Sequence, residues 1–497
     1  MELAFKIRKR VFKLLQHLIA TATLLILLQQ GAFSQSPVAE IDSMMTAAAT
    51  DGLFNGVIVV VDKGTVVYKK GFGYADEQKK IKNDEHTAFN LCSISKQFTA
   101  MAVMMLEAQG KIRLEDELST YIPELPYKGI TLRHLLIHTS GLPDYMILAM
   151  NYWPEGNNYS NKEAIDLLVK YKPPVQFPPG ERFQYSNTGY MLLAAIIEKT
   201  SGTSYASFLE NEIFKPLGMK NSFVYTPLNN EKNKPNVAKG YVFERLKAAS
   251  VESDQSAFFG KQVKTIIYPL GDGGVFSTAS DMIKWHDALK SNQLLKQELI
   301  QRAFSSGKLN DGRDANYGFG WFIVNDPANG KVIQHTGGWP GFRNAFIRTL
   351  EKDRMLLVLR NNEVEFRGIQ PAINSILENK PYNMPQSSLG YAFAFAADKG
   401  GPLIIREIYR KLKGQSVINE EEINEIGYGL FAKGFTKHAL EVMKINTELF
   451  PKSWNAFDSL GELYLKTGNK EEAKINYQKS LELNPQNTNA KKIIDTL

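Results

Sequence analysis

Ser93 and Lys96 stand three positions apart in FNLCSISKQFTAMAVMMLEAQ, the stretch from Phe89 to Gln109. Apolar residues at Phe98, Ala102, Met105 and Leu106 recur at spacings of three and four, which predicts a helix with a buried face. Positions i and i+3 are neighbours on a helix, so the Lys96 amine can reach the Ser93 hydroxyl without help from the rest of the fold. A free serine hydroxyl is a poor nucleophile, and an adjacent base that takes its proton makes it a useful one. A lysine in that role must be held neutral, which burial and a neighbouring cation would do. Unpaired backbone N–H groups at the helix start can steady negative charge on a reacting carbonyl. The Ser-x-x-Lys spacing also arises by chance about once or twice in a chain this long. Ser305 to Lys308 is a second copy, and a serine at a helix start can simply cap it.

Other candidate groups have to be weighed beside this pair. Cys92, the single cysteine, excludes an intramolecular disulfide. It has no histidine near it in sequence and reads as a small buried thiol. His134 and His138 in ITLRHLLIHTSGLPDY have the spacing of two metal ligands on a helix. Leu135 stands where zinc hydrolases need glutamate and no third ligand is evident, so both read as structural and no metal is expected. Tyr-Ser-Asn occurs twice. Ser160 and Glu163, behind Tyr159, form a capping box that explains the first copy. In the second, Tyr185-Ser186-Asn187, a Pro178-Pro179-Gly180 turn and an extended segment lead into an apolar helix starting near Gly189. That context would hold Tyr185 to relay a proton and Asn187 to orient a substrate carbonyl.

The elements around them are legible as patterns. Val57–Val61 and Thr65–Tyr68 flank Asp62-Lys63-Gly64 as a β-hairpin. GDGGVFSTASDMIKW reads as a glycine-rich loop entering a helix capped around Ser280 or Asp281. It lacks the Gly-Lys-Ser/Thr of a phosphate-binding loop. Successive antiparallel strands follow, in YGFGWFIVND, from Val332, from Asn344 to Leu350 and from Met355 to Leu359, with His335-Thr336-Gly337-Gly338 ending the one from Val332. The glycines would allow a substrate near the strand backbone.

With 497 residues there is room for two or three domains, and 43% hydrophobic with 22% charged residues is ordinary for a globular protein. The formal charge of +7 gives little support to nucleic-acid binding. Residues 1–34 hold five basic residues against Glu2 alone, which leaves about +3 elsewhere without a basic stripe. That segment has a basic start, an apolar run from Leu14 to Leu28, and Ala32 and Ser34 placed for cleavage before Gln35. It reads as a signal peptide directing export to the periplasm or outside the cell, with an uncleaved membrane anchor as the alternative.

Three signals now stand in one order: Ser-x-x-Lys, Tyr-Ser-Asn and His-Thr-Gly. With FNLCSISKQFTA, LLIHTSGLPDY, PPGERFQYSNTGYMLLAAIIE, YGFGW and HTGGWPGF, residues 38 to about 380 resemble the serine β-lactamase and penicillin-binding superfamily. They are most similar to its class C branch, with D-alanyl-D-alanine carboxypeptidases and esterases. The resemblance implies an antiparallel sheet flanked by helices, with an all-helical insert carrying Tyr185. It implies Ser93 as acylated nucleophile, Lys96 as proton partner and Tyr185 as shuttle. Asn187, His335, Thr336, Gly337 and Gly338 would bind substrate, with the N–H groups of Ser93 and Gly338 as oxyanion hole. No cofactor is implied. His335 replaces the lysine usual in β-lactamases. If it faces the pocket, its protonation should strengthen a preference for carboxylate-bearing substrates at pH 5.5 relative to pH 8.

Past Pro381 the character changes. NKPYNMPQSS reads as a linker, and the rest as helices with a 34-residue period: Gly427 and Gly461, Gly434 and Gly468, Ala439 and Ala473, Pro451 and Pro485. That is the tetratricopeptide period. Two repeats are clear, Ser388–Lys413 is a degenerate third pair, and Asn489–Leu497 a cap. A literal Lys-Thr-Gly at Lys466–Gly468 falls between these helices and is discounted. The expected organisation is a signal peptide (1–34), a β-lactamase-like hydrolase domain (35–383) and a helical repeat domain (384–497) that docks on it, either as a packed structural appendage or with a peptide-binding groove for a protein partner. Acylation and deacylation at Ser93 would act on D-Ala-D-Ala-type peptides, amides, esters or β-lactams. The alternative is a ligand-sensing protein whose repeats contact a partner.

Overall fold

The computed structural model describes residues 36–154, 159–226, 236–266, 269–414 and 416–497. The signal segment read in residues 1–34 lies outside them. Six strands form the main sheet: β1 (Gly56–Asp62), β2 (Thr65–Phe72), β3 (Phe322–Asp326), β4 (Gly330–Trp339), β5 (Phe342–Thr349) and β6 (Arg354–Arg360). They run in the order β3-β4-β5-β6-β1-β2 with every pair antiparallel. The β1–β2 hairpin turns through Lys63 and Gly64, both at positive φ, with Asp62 opposite Thr65. Two left-handed residues in a two-residue loop match the twist of the flanking strands.

β1 is buried from Gly56 to Val61 because both faces of the sheet are covered. Val57, Val59 and Val61 point to the larger core, while Ile58 and Val60 meet helices Pro37–Thr50 and Ile369–Leu377 on the other side. Period-two alternation thus feeds two apolar layers from one strand. Between Asn90 and Phe223 the described residues hold helices and no strand, which is the all-helical insert expected around Tyr185. The helix Lys96–Ala108 is buried from Lys96 through Leu106 and lies at the centre of the molecule.

Some elements differ from expectation. The helix after the glycine-rich loop begins at Ala279 with Thr278 as its cap, since the Thr278 hydroxyl, earlier than Ser280, accepts from Asp281 N at 3.2 Å. A short hairpin, Tyr241–Glu244 with Ala249–Glu252, had no clear sequence signal. Within the linker, Gln386–Ser387 pairs with Phe366–Arg367.

Helices Leu389–Ala397, Leu403–Leu412, Glu420–Ala432, Thr436–Leu449, Trp454–Lys466, Lys470–Leu483 and Thr488–Ile494 complete the chain and share their own core. Gly427 and Gly461 face Met443 and Tyr477 of their partner helices, where a Cβ would meet those side chains at 2.6 and 3.2 Å. This region docks on the Tyr241–Glu252 hairpin. Arg245 Nη1 reaches Glu425 at 3.2 Å, Lys433 Nζ donates to Ala248 O at 3.2 Å, and Tyr391 meets Phe243 edge-on at 4.8 Å.

Candidate active site

Ser93 lies in a single 3-10 turn, Cys92–Ser95, that runs into helix Lys96–Ala108. The turn is held from several sides. Cys92 takes φ +53° with its N–H on Asn90 Oδ1 at 2.9 Å, and Val275 N donates to Ser95 Oγ at 3.1 Å. Asn344 of β5 donates to Asn90 O at 2.7 Å. Its cross-strand partner on β4 is Gly337, where a Cβ would collide with the Leu91 carbonyl oxygen. The glycine therefore lets strand backbone lie against the Ser93 turn. Of the two glycines expected to make room for substrate, Gly338 borders the cavity. Gly320, at φ +81°, closes the Tyr317–Trp321 turn onto the helix start in the same way, 2.9 Å from Gln97 Cα for a notional Cβ.

Lys96 is wholly buried. Its amine donates to Asp272 O at 2.7 Å and Asn187 Oδ1 at 2.9 Å, and lies 3.2 Å from Ser93 Oγ. Two of these partners can only accept. The hydroxyl alone can either accept from an ammonium or donate to a neutral amine. Ser93 is thus the partner that changes role when Lys96 changes charge. Burial lowers the Lys96 pKa, against the opposing pull of Asp272, Cys92 and Asp144. A neighbouring cation, which the sequence reading invoked, plays no part. The Asp272 carboxyl is pushed up by burial, tempered by Lys96 and by the Tyr145 hydroxyl, which donates to Oδ2 at 3.1 Å.

Tyr185 places its ring 4.9 Å from the Lys96 nitrogen. Its hydroxyl is buried and makes no hydrogen bond of ordinary length among the described residues. Burial raises its pKa well above the usual tyrosine range, while Ser93 lies near enough to oppose the rise. His138 fixes this segment: it sits at φ +58°, packs tilted against the Tyr185 ring at 4.3 Å, and its Nδ1 accepts from Ser186 N at 3.0 Å. The metal reading of His134 and His138 finds no group of three candidate ligands among the described residues. His134 Nδ1 instead accepts from Thr131 N at 3.1 Å. The discarded Tyr159 is fully buried with its capping box formed behind it. Ser305 and Lys308 are not brought together: the Ser305 hydroxyl donates to Gln301 O and Lys308 pairs with Asp314.

A cavity of about 1070 Å³ opens over Ser93 and is bordered by Asn187, Asp272, Gly338 and Trp339. His335 does not border it. Its imidazole is 1% exposed, with Nδ1 2.7 Å from Thr336 O and Nε2 2.9 Å from the Tyr317 hydroxyl. The carbonyl places the proton on Nδ1, so Nε2 accepts from Tyr317. Burial and the nearby Lys96 depress its pKa to about 3. The condition set from sequence, a histidine facing the pocket and gaining charge at acid pH, is not met: His335 is a neutral imidazole beside Tyr185, their rings 6.0 Å apart. Thr336 is exposed and Gly337 buried. Sequence reasoning missed Asp272, Tyr145 and Tyr317. All three stood inside quoted words, GDGG, LLIHTSGLPDY and YGFGW, without a reason to single them out.

Comparison with known proteins places this geometry. The Beta-lactamase family model matches residues 41–375 and a tetratricopeptide repeat model matches 455–487. Penicillin-binding protein 4* of Bacillus subtilis is 34% identical over 81% of this chain and 87% of its own. A D-aminopeptidase of Gluconobacter oxydans is 27% identical over 67% of this chain and 60% of its own. The octameric penicillin-binding protein homologue from Pyrococcus abyssi superposes with a TM-score of 0.57 at 27% identity, covering 69% of this chain and 78% of that one. With a family match over two thirds of its length and helical repeats behind it, the chain belongs to the β-lactamase and penicillin-binding family and is a serine hydrolase of that family.

Proposed function

We propose that the chain is an exported hydrolase in which Ser93 is acylated and deacylated, acting on D-Ala-D-Ala-type peptides, amides or esters in preference to β-lactams. Lys96 takes the Ser93 proton as Oγ bonds to the substrate carbonyl carbon. Tyr185, its ring against that amine, passes a proton to the departing nitrogen or oxygen as the amide or ester bond breaks. Water then reverses the sequence, attacking the acyl carbon and returning the proton to Ser93. Asn187 holds Lys96 through Oδ1, and its Nδ2, which among the described residues has only Met146 Sδ at 3.9 Å, is left for the substrate carbonyl. The backbone N–H groups of Ser93 and Gly338, both on the cavity wall, are assigned to the developing oxyanion.

The observation that carries this reading is the buried Lys96 amine, with two N–H groups on fixed carbonyl oxygens and its remaining direction on Ser93 Oγ. The preference against β-lactams rests on His335, which supplies no positive charge where β-lactamases usually carry lysine. The D-aminopeptidase relative supports an amide or peptide substrate. Export rests on the first 34 residues. No helix among the described residues is long and apolar enough to cross a membrane. The helical repeats are assigned to a protein partner, with Trp454 and Ile475 exposed on them. The test is a fluorophosphonate adduct located by mass spectrometry. It should fall on Ser93 and vanish with turnover in Ser93→Ala; labelling that persists there refutes the assignment. Substrate binding without any acyl adduct would favour a ligand sensor instead.

A further inference from the structure

A second cavity, of about 410 Å³, opens between helix Ala279–Ala288, helix Gln297–Ala303 and β5. It is separate from the first. Arg343 borders the catalytic cavity and Arg348 this one, and five residues of strand span roughly 17 Å.

Its floor is polar and unsatisfied. Arg348 is 3% exposed and His286 1%. Neither Nε nor Nη1 of Arg348, and neither ring nitrogen of His286, has a hydrogen-bond partner among the described residues. The guanidinium carbon lies 5.4 Å from the Phe304 ring centre. The acid on this wall is Asp353, half exposed, which takes Lys290 Nζ at 3.1 Å and stays 3.9 Å from His286 Nε2. Lys290 also reaches Asp287 at 3.5 Å, and Arg354 is held by Asp62 and Glu378. Asp353 and Asp287 favour the charged Arg348 from a distance, but among the described residues no carboxylate pairs with it and its Nε and Nη1 stay unpartnered. Arginine is rarely buried without a partner, because a desolvated charge with nothing to bind is costly.

We propose that this cavity binds a small oxyanion, a carboxylate or phosphate group, on the Arg348 guanidinium, with His286 and Lys290 as further donors. Guanidinium N–H groups match the geometry of both anions. Burial and the neighbouring Arg348 and Lys290 cations keep His286 neutral, so it offers one N–H and the positive charge stays on Arg348. The space exceeds that of the anion alone, which leaves room for a small organic body against Leu289 and Phe304. This inference does not depend on the Ser93 chemistry.

Isothermal titration of inorganic phosphate, and separately of succinate, into the full chain tests it. Saturable one-site binding with a Kd on the order of 1 mM or tighter is expected for one of them, unchanged in Ser93→Ala. Which anion binds separates the two sources. Arg348→Met should weaken it by at least about tenfold, the low end for hydrogen bonds to a charged group. Lys290→Ala, at the partly exposed mouth, should fold normally and weaken it by a few-fold, so the test survives if Arg348→Met does not fold. A crystal soaked in the bound anion should show it between Arg348 and His286. Absence of saturable binding by either anion, affinity unchanged in both variants, or ordered water alone at that position overturns the proposal.

Discussion

Replacing Gly337 with alanine isolates what the close approach of β4 to the Ser93 turn is worth. The added Cβ would stand 3.2 Å from Cys92 Cβ and 3.3 Å from the Leu91 carbonyl carbon, with the Leu91 oxygen nearer still. The obstructing atoms are mostly backbone, so no side chain can swing aside. β4 must retreat from the turn by about 1 Å, an overpacking that typically costs ~1–3 kcal/mol of stability. Gly338 moves with the strand, and a misplacement of about 1 Å at a reacting centre costs roughly 10²-fold in rate. At Gly338 itself a Cβ would meet only the end of the flexible Arg343 side chain, at 3.3 Å. Gly338→Ala is therefore expected to unfold within about 1 kcal/mol of wild type. The assay is kcat/KM on an activated ester for both variants, with denaturant unfolding in parallel. Gly337→Ala should lose about 10²-fold in kcat/KM at a modest loss of stability. Full activity with wild-type stability in Gly337→Ala would refute the account of how Gly338 is placed beside Ser93.

Tyr185→Phe should lower kcat by roughly 10²- to 10⁴-fold, the usual worth of positioned acid–base catalysis. Its unfolding midpoint should barely move, because among the described residues the hydroxyl has no hydrogen bond of ordinary length to lose. Tyr159→Phe should leave kcat near wild type; equal losses at both positions would show the wrong copy was chosen. Acylation should rise with pH through a titration below the ordinary lysine value of about 10.4, since burial favours the neutral Lys96 amine; single-turnover acylation rates across pH read this directly. For His335, the folded-state pKa of about 3 lies below the ordinary value of ~6.5, so the unfolded chain takes up the proton first on acidification. Its contribution to stability is full above about pH 6.5 and is lost as pH falls toward 3, at up to ~1.4 kcal/mol per pH unit. His335→Gln should flatten that part of the profile in denaturant melts at pH 7.5 and 5. The same neutrality predicts that the kcat/KM ratio for a matched carboxylate-bearing and neutral substrate stays within about twofold between pH 5.5 and 8; a steep rise at acid pH would mean His335 gains charge there.

How much of this was legible in the chain depended on the range of the interaction. Ser93 and Lys96 meet through one helical turn, and the Ser160–Glu163 capping box lies within four residues, so both could be read from spacing. The β1–β2 hairpin and the helical repeats carry local turn and period signals of the same kind. His335 shows the limit. Its residue type allowed a charge at acid pH, but burial and the Tyr317 hydroxyl decide its state, and those depend on a strand and a turn folding together. Asp272 was out of reach for a similar reason. Its carbonyl meets Lys96 across 176 residues of sequence, and nothing in a Gly-Asp-Gly-Gly loop foretells that contact. The Tyr241–Glu252 hairpin is four residues a side, too short for alternation to separate it from a loop.

That hairpin has one face toward the Ser93 cavity, where Gly240 and Glu252 form part of the wall, and the other under the helical repeats, where Gly429 admits the Arg245 backbone. The two regions therefore own a partition in common. Recombination that exchanged the repeats for an unrelated module would remove the outer support of that wall, so the hydrolase half is not a free-standing cassette. Mutational drift is constrained in the same way: a larger residue at Gly429, remote from the chemistry in sequence, would press on the hairpin that bounds the substrate. Lineages carrying this pair of domains should vary the two sides of the hairpin together, with compensating changes at positions such as 245, 425 and 429.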